Sequence, residues 1–340
     1  MKSGRVMVTG GCGFIGAYLV ELLAKNNLEA ISIDHRKRAV KTADTIRDVV
    51  GDVRDRSLMS EIFSTGTFDC IFDLAAVSTI GLESLEYRRN IEQTRAMIEY
   101  CLTHDVPKYI YYSTQSVFRK PGCVPSSDVD YAPIDAYGKA KVKSEELIRS
   151  LLPRNKFLIL RPTYIWGPGH TGFRNGLLYR LLKGHLIISN DPNIKRYYGY
   201  VETIAAQTLA LSRLSFVDLP RKVYYISDDA ISLGDFCGYL VLALGRGKAW
   251  SASPSLIRLL GTIGTLNSKL GLPAPINSIQ ARDLTTNFPV PIEPTLSLTE
   301  CVTDLTLAAA KTVGWAMRTD ERFRSALDSH TTPRLGGPDR

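Results

Sequence analysis

The stretch Val6-Met7-Val8-Thr9-Gly10-Gly11-Cys12-Gly13-Phe14-Ile15-Gly16 decides the fold. An apolar run with the character of a buried parallel strand meets Gly10, Gly13 and Gly16 at three-residue spacing, and an amphipathic pattern follows from Phe14 to about Lys25. The spacing suits a dinucleotide-binding turn. Gly10 allows the sharp exit from the strand, Gly13 lets backbone approach a pyrophosphate, and Gly16 lets the helix pack close to the sheet. The pyrophosphate is then expected on the N–H groups at the helix N-terminus. A second apolar strand, Glu29 to Ile33, ends in Asp34, where a carboxylate can hold the ribose hydroxyls of adenosine.

Further strand-like runs at Arg47–Val50, Cys70–Leu74, Tyr109–Ser113 and Phe157–Leu160 alternate with helical patterns. That alternation predicts an α/β fold, a Rossmann-type doubly wound parallel sheet with right-handed crossovers. The longest helical pattern, about Leu82 to His104, carries Leu85, Ile91, Ile98, Cys101 and Leu102 as the expected apolar stripe of a core helix. After Arg161 the texture changes to short interleaved signals around Gly167-Pro168-Gly169. The expected division is a dinucleotide-binding domain over 1–165, to which later segments return, a smaller substrate-binding lobe over 166–330, and a disordered tail over 331–340. Ser251 to Thr299 is rich in Leu, Pro, Ser and Thr with little charge. Interior packing is expected there, with a substrate cover, a membrane-facing surface or a dimer surface as the alternatives.

Composition bounds the partners. With 340 residues and 44% apolar content the chain can fill a sizeable core. No apolar run reaches the length of a membrane span, and the first strand begins within five residues of Met1, so a cytoplasmic protein without a signal peptide is expected. The six cysteines are scattered, with neither a CxxC pair nor Cys/His spacing for a metal; reduced thiols and no metal are expected. The net charge of +8 is spread along the chain. It fits an anionic small substrate better than a nucleic acid, which would call for a concentrated basic face. Arg36-Lys37-Arg38 reads as a solvated loop.

The chemistry-bearing pair is Tyr137 and Lys141, four residues apart and so on one face of a helix running to about Leu152. A nearby ammonium favours phenolate, so Lys141 is expected to lower the Tyr137 pKa toward a value useful for proton transfer. The preceding strand ends in the hydroxyls of Ser113 and Thr114, at the carboxyl edge where open α/β sheets bind ligands. There Thr114 would bond the reacting oxygen.

With these pieces in place, the chain resembles the extended short-chain dehydrogenase/reductase family, in its branch of NAD-dependent sugar-nucleotide epimerases and dehydratases. The matching residues are the glycine turn, Asp34, Asp52-Val53, Leu74-Ala75-Ala76, Asn90, Ser113-Thr114, Tyr137 with Lys141, Arg161-Pro162, Gly167-Pro168-Gly169, Arg196 with Tyr200-Val201, and Gly314-Trp315, in family order. The resemblance implies Thr114, Tyr137 and Lys141 as the catalytic set. It implies a cofactor site from Gly10, Gly13, Phe14, Ile15, Gly16, Asp34, Asp52, Val53, Leu74, Ala75, Ala76, Asn90, Ser113, Tyr137, Lys141 and Pro162, with Asp52 and Val53 at adenine. Thr114, Asn175 and Arg196 are implied as substrate contacts, Arg196 gripping a diphosphate.

Departures narrow the reaction. Gln115 and Ser116 stand where dehydratases and decarboxylases of this branch need acids, so those reactions are discounted. Asp73 replaces a frequent histidine, Gln93 a usual glycine, and Tyr164 an asparagine that often touches substrate. The expected activity is NAD-dependent epimerisation of a nucleoside-diphosphate sugar, UDP-linked by preference, at C4 through a transient 4-keto sugar. A 4-ketoreductase making a deoxy-sugar nucleotide and a non-catalytic NAD-binding scaffold are the alternatives, and a steroid- or flavonoid-type substrate stays open. Asp34 repels a 2′-phosphate and so favours NAD, while Arg36 leaves NADP open. The family resemblance also implies a homodimer through the helices Leu82–His104 and Ala136–Leu152.

Overall fold

The computed structural model describes residues 4–38, 42–78, 82–273 and 276–328, with the expected tail outside them. Its centre is a seven-stranded parallel sheet built from β1 (Arg5–Thr9), β2 (Glu29–Asp34), β3 (Ile46–Val50), β4 (Cys70–Asp73), β5 (Tyr109–Tyr112), β6 (Phe157–Pro162) and β7 (Val223–Ile226), in the order β7-β6-β5-β4-β1-β2-β3. The order reverses at β1, so the carboxyl ends of β1 and β4 open a crevice of the kind in which doubly wound sheets bind ligands. Register is continuous: Val6 to Thr9 pair with Ala30 to Ile33 on one side and with Cys70 to Asp73 on the other.

Helices cover both faces, as the near-unbroken apolar strands require. On one face α1 (Phe14–Lys25) and α5 (Val201–Arg213) bury Leu19, Val20, Leu23, Ile204 and Leu211 with Val8, Ile110 and Leu158. On the other, α2 (Arg56–Ser64), α3 (Ser84–Thr103) and α4 (Ala136–Leu151) contribute Met59, Ile62, Met97, Ile98 and Ile148 to a core with Met7, Ile71 and Ile159.

The expected stripe of α3 needs correction. Ile98 and Cys101 are buried, but Leu85 is 74% and Leu102 47% exposed, and the inward face is completed by Tyr87, Asn90, Thr94 and Met97. Thr94 hydrogen-bonds Ser144 of α4 at 3.1 Å, and this polar seam is what a purely apolar periodicity overlooks.

The chain divides into two compact units. The first comprises residues up to Ile165 with Tyr197–Asp229 and Phe288–Val302; the second comprises Trp166–Arg196, Ala230–Asn287 and residues from Thr303 on. Within the second unit, Trp166, Phe173 and Phe236 form an aromatic cluster, with the Trp166 and Phe236 rings 4.9 Å apart. Strands Leu186–Ser189 and Ala249–Ala252 pair in parallel there. Among the described residues no helix is long and apolar enough to cross a membrane.

Candidate active site

The turn after β1 has the geometry its glycines imply. Gly10 sits at φ +68°, and a Cβ there would stand 2.9 Å from the Ala75 nitrogen; one on Gly16 would stand 2.2 Å from the Gly10 carbonyl. The strand exit, the loop after β4 and the first turn of α1 therefore close on one another with no room for side chains. Gly13 begins α1 without a side-chain cap, and Phe14 and Ile15 follow it in the first turn, leaving helix-terminal N–H groups of the kind that bind phosphate.

Asp34 is buried at the end of β2 and accepts hydrogen bonds from the Cys12 and Arg36 backbone N–H groups at 3.0 and 2.9 Å. Of the neighbouring basic residues Arg36 and Lys37 are exposed, as expected of a solvated loop, and Arg38 is the one that is partly buried. Arg36 donates to the Cys12 carbonyl at 2.9 Å, and Arg38 donates to the Gly11 carbonyl and to Asp48. The carboxylates and carbonyls of the turn draw these guanidiniums onto it.

The far wall of the crevice is held by polar ties. Thr9 donates to Asp73 at 2.6 Å and accepts from the Leu74 and Ala75 N–H groups. Asn90 grips the same loop, donating to the Val77 carbonyl at 3.0 Å and accepting from its N–H at 2.7 Å. Leu74, Ala75 and Ala76 are left partly exposed between these anchors. Asp52 is engaged by Arg54 at 2.8 Å, which lowers its pKa, and the Val53 side chain lies in the core. Pro162 is buried at the end of β6, paired with Ile226.

The expected catalytic set, Thr114, Tyr137 and Lys141, lies where β5 meets α4. Thr114 follows β5 and caps the next turn by accepting from the Ser116 N–H at 3.1 Å. A Cβ on Gly138 would stand 2.5 Å from the Ser116 carbonyl, so only glycine lets the first turn of α4, with Tyr137, come against that turn. The Tyr137 ring lies 5.6 Å from that of Tyr87. Lys141 is buried; its ammonium donates to the Tyr112 carbonyl at 2.6 Å and to the Tyr111 hydroxyl at 3.2 Å.

The expected lowering of the Tyr137 pKa is outweighed. Burial pushes the phenol above its ordinary value of 10, and Lys141 pulls it down without overcoming that. Losing water costs the phenolate more than one ammonium returns.

Behind the strand end lies a network that the sequence reading missed. Ser113 donates to Glu145 at 2.5 Å, Arg161 pairs with the same carboxylate at 2.7 Å with neither side chain exposed, and Tyr131 donates to it at 3.0 Å. Arg161 also donates to the Tyr225 hydroxyl at 3.1 Å. Ser113 thus has its hydroxyl committed to α4. Glu145 lies one turn beyond Lys141 on the same face, a spacing that was the available signal. Asp73 was noticed only as a departure; Tyr109 donates to it at 2.5 Å, and burial raises its pKa.

The expected substrate contacts Asn175 and Arg196 belong to the second unit. Asn175 is exposed in the π-helical turn Arg174–Leu178 and accepts from Arg322 at 2.8 Å, while Arg196 is half-buried and donates to the Lys195 carbonyl at 2.8 Å. Among the described residues no group of three His, Cys, Asp or Glu side chains is placed to hold a metal ion.

Comparison with known proteins fits this geometry. A UDP-glucose 4-epimerase of Halalkalibacterium halodurans is 31% identical over 151 residues, 42% of this chain and 44% of that protein. The chain spans 37–44% of the first three relatives it matches. A 3-beta-hydroxysteroid dehydrogenase of Mycolicibacterium neoaurum is 26% identical over a longer stretch, 72% of this chain and 71% of that protein. The solved structure of MoeE5 in complex with UDP-glucose and NAD superposes with a TM-score of 0.68 at 21% identity, over 93% of this chain and 99% of that one, and so shares the fold. The model of the NAD dependent epimerase/dehydratase family matches residues 6–225, well over half of the sequence, and the chain belongs to that family.

Proposed function

We propose that the protein is an NAD-dependent epimerase of a nucleoside-diphosphate sugar, UDP-linked by preference, acting at C4. The observation that carries this reading is the seat of Tyr137, brought by Gly138 against the turn that follows Thr114, with the buried Lys141 ammonium one helical turn away. A group meant only to hold a ligand has no need of a desolvated phenol beside a desolvated cation.

The glycine cradle, the uncapped start of α1 and the carboxylate at the end of β2 fit a dinucleotide. Gly10, Gly13, Gly16 and Asp34 would hold NAD there, and it would supply the reversible hydride acceptor that inversion at the sugar carbon needs. Tyr137 accepts the proton of the C4 hydroxyl and gives it back, Thr114 hydrogen-bonds the same oxygen, and Lys141 favours the phenolate. Arg196 holds the diphosphate. The burial of Asp34, and the ties that draw Arg36 and Arg38 onto the turn, favour NAD over NADP.

A hydroxysteroid-type substrate is the second reading, favoured by the length of the Mycolicibacterium neoaurum match. It would have no use for Arg196. We also propose a cytoplasmic homodimer through α3 and α4. The outer face of α3 borders a groove of about 790 Å³ with Arg88, Glu92, Arg95 and Glu99, and Lys143 of α4 also lines it. Leu85, Ile91 and Tyr100 line it too, so pairing there would combine apolar burial with charge, and sedimentation as a monomer at micromolar concentration would remove it.

The deciding experiment is to denature the freshly purified protein, identify any released nucleotide by chromatography and mass, and then screen UDP-sugars without added cofactor. Near-stoichiometric NAD together with C4 inversion supports the epimerase. An empty protein that oxidises a hydroxysteroid with added NAD overturns it.

A further inference from the structure

The helix Pro254–Lys269, in the second unit, is apolar on the side where a surface helix is ordinarily polar. Its inward side carries Ile257, Gly261 and Gly264, with Ile257 in a small core with Ile276 and Ala281. Its outward side carries Leu256, Leu259, Ile263, Leu266 and, at the cap, Leu270, each 46–68% exposed. At 3.6 residues per turn these five fall within an arc of about 80°. Interior packing, the expectation for Ser251–Thr299, therefore accounts for only one side of this helix.

Charge indicates what covers the other side. From Phe236 to Ala281 the sequence has no Asp or Glu, while Arg246, Lys248, Arg258 and Lys269 fall within that stretch; Arg282, the next residue, is paired with Asp283 at 3.6 Å. Arg258 donates to Thr285, and Lys248 lies 4.0 Å over the Trp250 ring; both partners are neutral, so neither charge is cancelled. Two copies meeting through this face would bring like charges together. A surface of anionic lipid headgroups complements the leucines and the cations at once.

We propose that this face lies on an anionic lipid bilayer. The helix Pro254–Lys269 rests in the plane of the interface, its leucines enter the boundary between headgroups and acyl chains, and the lysines and arginines around it meet the phosphates. The enzyme is thereby a peripheral membrane protein, whatever its substrate.

Vesicle flotation of the full chain tests this, using phosphatidylcholine alone and phosphatidylcholine with phosphatidylglycerol at about 3:1. The protein is expected to float with the mixed vesicles, not with the neutral ones, and to be released by about 0.5 M salt. Two variants, Leu259→Ser/Ile263→Ser/Leu266→Ser and Lys248→Glu/Lys269→Glu, are each expected to bind at least ~10-fold more weakly. All the changed side chains are exposed, so circular dichroism and melting should match the parent. Should the serine variant misfold, the charge variant and the salt dependence carry the decision. Failure of the parent to float, or flotation of the folded serine variant as strong as the parent's, overturns the proposal. So does a parent that self-associates through this face without binding vesicles, its serine variant being monomeric.

Discussion

In the first unit a carboxylate, a guanidinium and two phenols leave solvent together: Glu145 and Arg161 are fully buried, and Tyr131 and Tyr225 complete their hydrogen bonds. In the second unit the comparable cluster of Arg174, Asp320 and Arg322 keeps Arg322 half in water, and an apolar helix face points outward. The difference tracks what each must hold still. A buried ion pair adds little net stability over an apolar replacement, yet it is costly to break, which pins the groups bonded to it. Here those groups include Ser113, the residue before Thr114. The second cluster, open to water on its Arg322 side, pins less and costs less to lose.

The largest effect should come from the chemistry that the first unit holds. Tyr137→Phe is expected to lower turnover by roughly 10²–10⁴-fold, the range for a lost general acid–base, while bound NAD is retained; steady-state kinetics and nucleotide analysis check both. Because burial raises the Tyr137 pKa and Lys141 opposes it, activity should climb with pH on the alkaline side, and Lys141→Met should move that limb further alkaline.

Next is the network behind the strand. Glu145→Gln leaves Arg161 buried without its counter-charge and should destabilise the protein by about 3–5 kcal/mol in urea denaturation, whereas replacing both partners by apolar residues should recover much of the loss. If the single and double variants lose equally, the ion pair is not what holds this region.

Asp73 sharpens the contrast within the first unit, since its hydrogen bonds come from the hydroxyls of Thr9 and Tyr109, and the Lys141 ammonium only partly offsets its burial. Its pKa is raised, so its contribution to stability is present below the ordinary carboxylate value of 3.8 and is lost as pH rises through the folded value. Stability of Asp73→Asn should therefore fall less than that of the parent as pH rises from acid to neutral. The smallest effect belongs to the second unit. Arg322 holds the Asp320 pKa at about 2, below its ordinary 3.8, so that contribution is present above pH 3.8 and disappears as pH falls toward 2. Asp320→Asn should cost a small part of the stability at neutral pH and flatten acid unfolding in that window, parent and variant converging near pH 2.

How much could be read in advance depended on distance along the chain. Six strands of the sheet lie within two residues of where periodicity put them, because a sheet buried on both sides writes itself as apolar runs, while Val223–Ile226, far along the chain, went unread. The glycine turn was legible because Gly13 and Gly16 close on the nearby Gly10 carbonyl, although Gly10 itself makes way for the distant Ala75. Arg36 and Lys37 are exposed as read, and only Arg38 departs, because the Gly11 carbonyl that it meets lies on a different strand exit. The stripe of α3 was misread because Thr94 and Asn90 make its inward face polar.

Sequence by itself determined the parallel sheet, the cradle between β1 and α1, and the pairing of Tyr137 with Lys141, since each follows from backbone sterics or helical spacing over a few residues. Tertiary structure decided the rest. It turned Ser113 toward Glu145, set burial against Lys141 in the pKa of Tyr137, and left five apolar side chains of the helix Pro254–Lys269 facing outward. Desolvation and exposure depend on which distant segments close over a side chain, and no local pattern records that.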